Sequence, residues 1–241
     1  LAPFPATISW GGALAAVGTD TIYGLRGSTA NDFYKYTIST NTWIALASAP
    51  ANVVYTALSP VGTDTLYALQ GWGTAFYKYT ISTNTWTTLA TSPGTFHGGA
   101  LALCGLDTLY ALGGDGTTNF YKYAISTNTW TTALALVPAG VAHGGDLVAV
   151  DTDTFYVLGG NGTANFWKYE VSKETGWGTL PNAQAALNPG YGELTHLGTK
   201  VGNNFYVALS DRNLLYRYDT SNDAWSEITR ATGGGSIGSM V

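Results

Sequence analysis

Two histidines, His97 and His143, precede Gly-Gly pairs, and Trp10, Tyr55 and Tyr191 stand at or near the same place in other parts of the chain. Two imidazoles could ligate a metal, but a metal site needs three or four ligands, usually with a supporting shell. No carboxylate recurs at a matched position, so no metal is expected. A second chemistry fits better. Aromatic and imidazole rings around a concavity, with a few polar groups, are the usual make-up of a ligand site. Candidate polar groups and a further aromatic lie in short Gly-, Asp- and Asn-rich segments: Arg26, Trp72, Asp115, Asn161 and Arg212. The competing role for the large rings is packing, as plugs of a channel and caps of a core. No paired carboxylates, activated nucleophile or phosphate-cradling loop is present, so neither catalysis nor a cofactor is expected. Cys104 is the single cysteine. It falls in an apolar segment, where a thiol packs as a small hydrophobe.

These residues must be positioned by repeated elements. Tyr34 to Trp43 reads YKYTISTNTW, Tyr77 to Trp86 repeats it, and Tyr121 to Trp130 differs only at Ala124. Looser copies end at Trp177 and Trp225. The tryptophans are spaced by 43, 44, 47 and 48 residues, and D-T-x-Y phrases at Asp20, Asp64, Asp107 and Asp153 keep step with them. Periods of about 40–50 residues indicate propeller blades or helical pairs. The unit decides. In the third copy, Gly98–Cys104, Thr108–Leu112, Phe120–Ile125 and Trp130–Leu134 are strand-like and separated by turn residues. No dozen-residue window carries an apolar helical period. The expected fold is all-β: a propeller of four-stranded antiparallel blades, five repeats at about 8–50, 51–94, 95–138, 139–189 and 190–230, forming one domain over 1–241.

The repeat resembles the kelch family, which has a Gly pair after the second strand, a Tyr in the third and a Trp opening the fourth. The Tyr is Tyr36, Tyr79, Tyr123, Tyr169 and Tyr218. The Gly pair is intact at Gly113-Gly114 and Gly159-Gly160, single at Gly27 and Gly71, and replaced at Ser210-Asp211. The resemblance implies a first strand nearest the axis, and so a ring of Trp10, Tyr55, His97, His143 and Tyr191 around one channel mouth. It implies no particular function, because such repeats serve binding proteins, enzymes and scaffolds.

Leu1-Ala2 through Pro5 resembles Leu89-Ala90 through Pro93, and Gly233 to Val241 resembles Gly98 to Cys104. Two expectations fit: a closed five-bladed ring with overlapping ends, which is preferred, or a segment assembled with further repeats or domains. Antiparallel pairing places the second-to-third and fourth-to-first connections on one rim. That rim varies between copies, whereas the opposite rim repeats Ser39–Thr42 and Gly18–Asp20 almost unchanged.

Charged residues are only 10% of the chain and net charge is −5. Phosphate contacts need clustered Lys or Arg, so nucleic acid is excluded as a partner. No apolar run approaches the roughly 20 residues of a membrane helix. Lys35, Lys78, Lys122, Lys168 and Arg217 are expected to lay their stems over apolar surface. The composition fits an extracellular or cell-surface protein. The expected function is non-catalytic binding of a saccharide or protein surface through the variable rim. The alternatives are a structural segment of a surface-layer or filament protein and, more distantly, a metal-dependent enzyme using His97 and His143.

Overall fold

The computed structural model of the chain describes residues 1–7, 11–27, 30–51, 57–131, 135–141, 145–160, 163, 165–173, 176–181, 195–197, 201–209 and 214–230. Blade 1 is β1 (Ala13–Val17), β2 (Thr21–Leu25), β3 (Phe33–Thr37) and β4 (Thr42–Ala45). Blade 2 is β5 (Ala57–Val61), β6 (Thr65–Leu69), β7 (Phe76–Thr80) and β8 (Thr85–Thr88). Blade 3 is β9 (Ala100–Cys104), β10 (Thr108–Leu112), β11 (Phe120–Ala124) and β12 (Thr129–Thr131). Blade 4 is β13 (Asp146–Ala149), β14 (Thr154–Leu158), β15 (Phe166–Glu170) and β16 (Gly176–Thr179). Blade 5 is β17 (Thr195–Leu197), β18 (Asn204–Leu209), β19 (Leu214–Asp219) and β20 (Ala224–Arg230). Each sheet runs in plain antiparallel sequence order, and β1, β5, β9, β13 and β17 pack successively on one another. The molecule is a five-bladed β-propeller, as the repeats predict. Among the described residues the one helical turn is a 3₁₀ turn at Val171–Lys173, and no helix is long and apolar enough to cross a membrane.

In the third repeat the first strand begins at Ala100 rather than Gly98. Gly98 is left-handed (φ 69°), and a Cβ on Gly99 would strike the Leu112 carbonyl. The last strand begins at Thr129, and residues 132–134 of its expected span lie outside the described residues.

The repeated phrase builds each blade's outer half. Its Tyr and Trp face one another across the third and fourth strands: Tyr36 opposite Trp43, Tyr79 opposite Trp86, Tyr123 opposite Trp130. Cross-strand aromatic pairs stabilise a sheet by about 0.2–1 kcal/mol each. Asn41, Asn84 and Asn128 take left-handed backbone (φ 53°, 53° and 52°), which Asn tolerates better than most residues. Their Oδ1 atoms accept the hydroxyls of Tyr36, Tyr79 and Tyr123 at 2.7, 2.7 and 2.8 Å. Asp20 Oδ1 accepts the Ser39 backbone N–H and its Oδ2 the Ser39 hydroxyl, both at 2.7 Å. Asp64–Ser82, Asp107–Ser126 and Asp153–Ser172 repeat this. The near-constant rim is therefore a set of knots tying the first hairpin of a blade to its last.

Blades join through a recurring aromatic cluster. Phe33 of blade 1 lies 4.8 Å from Tyr79 and 5.1 Å from Trp86 of blade 2, ring centroid to ring centroid. Phe76, Phe120 and Phe166 repeat the contact, at 4.8, 5.1 and 4.7 Å from the next blade's Tyr. The link between blades is also bonded: the Trp86 indole donates to the Ala47 carbonyl at 2.8 Å, and the Ala47 N–H donates to Asn84 Oδ1 at 2.9 Å. The segment at 1–7 serves blade 1 the same way. Trp43 donates to the Ala2 carbonyl at 3.2 Å, and Ala2 N donates to Asn41 Oδ1 at 2.6 Å. Phe4 then covers Trp43 and Tyr34, and Gly24 leaves the space, since a Cβ there would come 2.8 Å from the Phe4 ring.

The boundary between blades 5 and 1 differs. Tyr206 is half-buried, whereas its counterparts Tyr23, Tyr67, Tyr110 and Tyr156 are buried. Leu14 is 37% exposed where Leu101 is 8% and Leu147 is 5%. Among the described residues, the four large buried clusters all lie at the other four boundaries.

Candidate functional site

The variable rim is made by the connections from second to third strand and by the entries to the first strands. Neighbouring blades are stitched together there. Gly71, after β6, makes a parallel bridge to Phe96, just before β9, and the Trp72 N–H donates to the Phe96 carbonyl at 2.7 Å. One blade on, Thr117 bridges Val141, and the Gly116 N–H donates to the Val141 carbonyl at 2.8 Å. The loops of blades 2 and 3 are thereby held against the entries of blades 3 and 4.

This stitching brings three of the expected residues together. Trp72 lies in the blade 2 loop, His97 at the entry to β9, and Asp115 in the blade 3 loop. The indole and imidazole centroids are 3.7 Å apart with planes inclined by 35°. His97 Nδ1 lies 3.5 Å from Asp115 Oδ1. Their exposures differ sharply: His97 is buried, Trp72 is 62% exposed, and the Asp115 side chain is 63% exposed. His97 therefore lies under the indole and beside the carboxylate. Its backbone is held as closely as its ring, since a Cβ on Gly114 would collide with the His97 carbonyl. The intact Gly pair of blade 3 is what lets the two backbones meet.

Trp72 and Asp115 occupy equivalent positions, two residues after Gln70 and Gly113, and both take φ 60°. Asp115-Gly116 forms a tight turn, with the Thr117 N–H donating to the Gly114 carbonyl at 3.2 Å. Asp tolerates this backbone, but an ordinary L-residue there costs roughly 1–2 kcal/mol. Trp72 carries that strain on an exposed surface, and left-handed non-Gly residues are concentrated at functional sites.

No protein-family model matches the chain, and no curated protein matches it.

Arg26 stands apart from the cluster. Its guanidinium donates to Asp32 Oδ2 at 2.9 Å, and its Nε donates to the Thr7 carbonyl at 3.0 Å. It closes the blade 1 loop and anchors the segment at 1–7. Trp10, Tyr55, His143, Asn161, Tyr191 and Arg212 lie outside the described residues. Phe96 was not singled out by sequence, although its carbonyl and bridge fix Trp72. Its signal was an apolar residue directly before His97, at the edge of a turn-rich segment. Among the described residues no three His, Cys, Asp or Glu side chains converge on a metal-sized site. Cys104 is buried, with its thiol 3.6 Å from the Asp151 carbonyl. Burial first, then the Asp151 and Asp153 carboxylates, push that thiol up to about 11.

Proposed function

We propose that the chain is an extracellular, non-catalytic binding module, kelch-like in its repeats, that takes its partner on the rim of second-to-third-strand loops. The observation carrying this is Trp72: an exposed indole held in left-handed backbone, pinned by its N–H and backed by a buried imidazole. A large apolar side chain kept in solvent at a conformational cost is typical of a recognition surface rather than of packing. The opposite rim supports the same assignment by contrast, because its Asp, Ser, Tyr and Asn side chains are already bonded to each other. The extracellular placement rests on the low-charge, Thr- and Asn-rich composition.

Glycan-array and partner pull-down experiments on the intact chain test the face. Signal should fall to background in a Trp72→Ala, His97→Ala, His143→Ala triple variant. It should persist in a Thr40→Ala, Thr83→Ala, Thr127→Ala variant of the opposite rim. The reverse pattern would sink the assignment.

A second role, as a structural segment within a larger assembly, draws support from the thinner apolar cover at the boundary of blades 5 and 1, where Leu14 is exposed and Tyr206 and Leu215 are half-buried. Concentration-dependent self-association in sedimentation, lost in a Leu14→Lys variant, is the result that role expects.

A further inference from the structure

We infer that the junction of blades 2 and 3 is a subsite for one neutral pyranose ring, with the Trp72 indole under its C–H face and the Asp115 carboxylate accepting its edge hydroxyls. His97 acts as a positioning residue beneath and between them. The inference rests on the binding role proposed for this rim and narrows its ligand.

Three observations lead from the rim to a sugar. The first is rigidity. The Trp72 backbone is fixed by the Gly71–Phe96 bridge and the 2.7 Å bond to the Phe96 carbonyl, and the ring lies against the buried His97. A platform already ordered loses little side-chain entropy when a ring is laid on it. An indole presents a flat apolar face of about the size of one pyranose.

The second is isolation. A protein partner of ordinary affinity covers about 800 Å² per side and needs an apolar core to its footprint. The other large apolar side chains exposed among the described residues lie elsewhere. Ile38, Leu106 and Val201 are on the opposite rim, Ile44 and Ile228 are in outer strands, Leu1 is in the segment at 1–7, Leu14 is at the boundary of blades 5 and 1, and Leu136 is in the link from blade 3 to blade 4 rather than at the junction of blades 2 and 3. One indole flanked by polar turns suits a small amphipathic ring better than a protein surface.

The third is the sign and type of the polar group. An ionised carboxylate only accepts hydrogen bonds, and its two oxygens match two adjacent hydroxyl donors. Asp115 Oδ1 faces His97 Nδ1, and most of the side chain remains open to solvent. A carboxylate beside the imidazole that carries the indole disfavours uronic or sialic acids. Arg26, in the blade 1 loop of this rim, is bound to Asp32 and Thr7 and offers no compensating charge. The ligand class is therefore neutral: hexoses, deoxyhexoses or N-acetylhexosamines.

The test uses the whole chain on an array of neutral and acidic oligosaccharides, followed by calorimetric titration of the best hit. Neutral glycans should bind. Trp72→Ala should weaken binding at least about tenfold, Trp72→Phe should keep most of it, and Asp115→Asn should weaken it several-fold. Thr83→Ala on the opposite rim should change nothing. An array with no hits overturns the sugar assignment, and if pull-down of a protein is then lost in Trp72→Ala, the rim assignment survives. Hits that survive both Trp72→Ala and Asp115→Asn but vanish in Arg212→Ala overturn this subsite and leave the rim. Hits lost only in opposite-rim variants overturn both. Preference for acidic glycans overturns the role given to Asp115.

Discussion

Trp72 shows the conflict between stability and use at a single residue. Its equivalent in blade 3 is Asp115, a residue type suited to the same φ of 60°. Replacing Trp72 with Asn should relieve left-handed strain and raise stability by up to about 1 kcal/mol in chemical denaturation, while removing ligand binding. A loss of stability above about 1 kcal/mol would instead make Trp72 a packing residue. The differences between loop copies are legible in the sequence, and they single out Trp72, His97 and Asp115. Their mutual contact was not visible, because it depends on the Gly71–Phe96 bridge between blades. The left-handed backbone at Trp72 was also hidden, since Trp is among the residues least expected there. Burial also governs the reactivity of Cys104. With the thiol pushed up to about 11, its thiolate fraction at pH 8 falls roughly a hundredfold below that of an ordinary cysteine. Alkylation of the native protein by iodoacetamide should be slower than that of the denatured chain by at least this factor. Equal rates would contradict the buried environment.

Within a blade, the fixed turn concentrates bonds on one amide. Asn84 Oδ1 accepts from the Tyr79 hydroxyl and from the Ala47 N–H of the link, while its backbone is left-handed. Asn84→Ala should cost about 2–3 kcal/mol, combining two lost hydrogen bonds with the backbone penalty. Asn84→Gly should recover about 1 kcal/mol of that. Equal losses in thermal or chemical unfolding would show that the backbone conformation contributes nothing. The tyrosines add a pH dependence. Tyr79 and Tyr123 are pushed up to about 12, by burial first and by neighbouring tyrosines second. Tyr156 is also pushed up to about 12, by burial and then by Asp223. A folded-state value above the unfolded value of about 10 favours the protonated form in the fold. Its contribution is therefore complete below pH 10 and is lost as pH rises through about 12. Denaturation midpoints should fall across that window, and stability unchanged while the tyrosines ionise would refute the coupling. This part of the fold was legible because YKYTISTNTW contains its own strand, turn and partner. The Asp20–Ser39 knot and its copies were less legible, since each joins two turns about twenty residues apart.

The repeat length and the Tyr and Trp positions made the propeller legible as a whole, because four equivalent boundaries need four equivalent sets of residues. The fifth boundary breaks the pattern for a reason that the sequence carries only faintly. Leu215 stands at the register position of Phe33, Phe76, Phe120 and Phe166, and it is half-buried where they are buried. On the facing side, Gly24 replaces the Ala68 and Ala111 of the next two blades, and Phe4 from the segment at 1–7 fills the space. Blade 1 is thus covered partly by a short segment rather than wholly by a neighbour's aromatic cluster. Opening of the molecule should begin where apolar cover is thinnest. Leu14 and Leu101 occupy the same place in their blades, so they compare the two kinds of boundary directly. Leu101→Ala should cost about 2–4 kcal/mol, as for a buried leucine, and Leu14→Ala less than about 1 kcal/mol. Native-state hydrogen exchange should likewise show β1 and β19 exchanging before β6, β10 and β14. Equal costs at the two leucines, together with uniform protection across all five blades, would mean that the boundary of blades 5 and 1 is as well sealed as the rest.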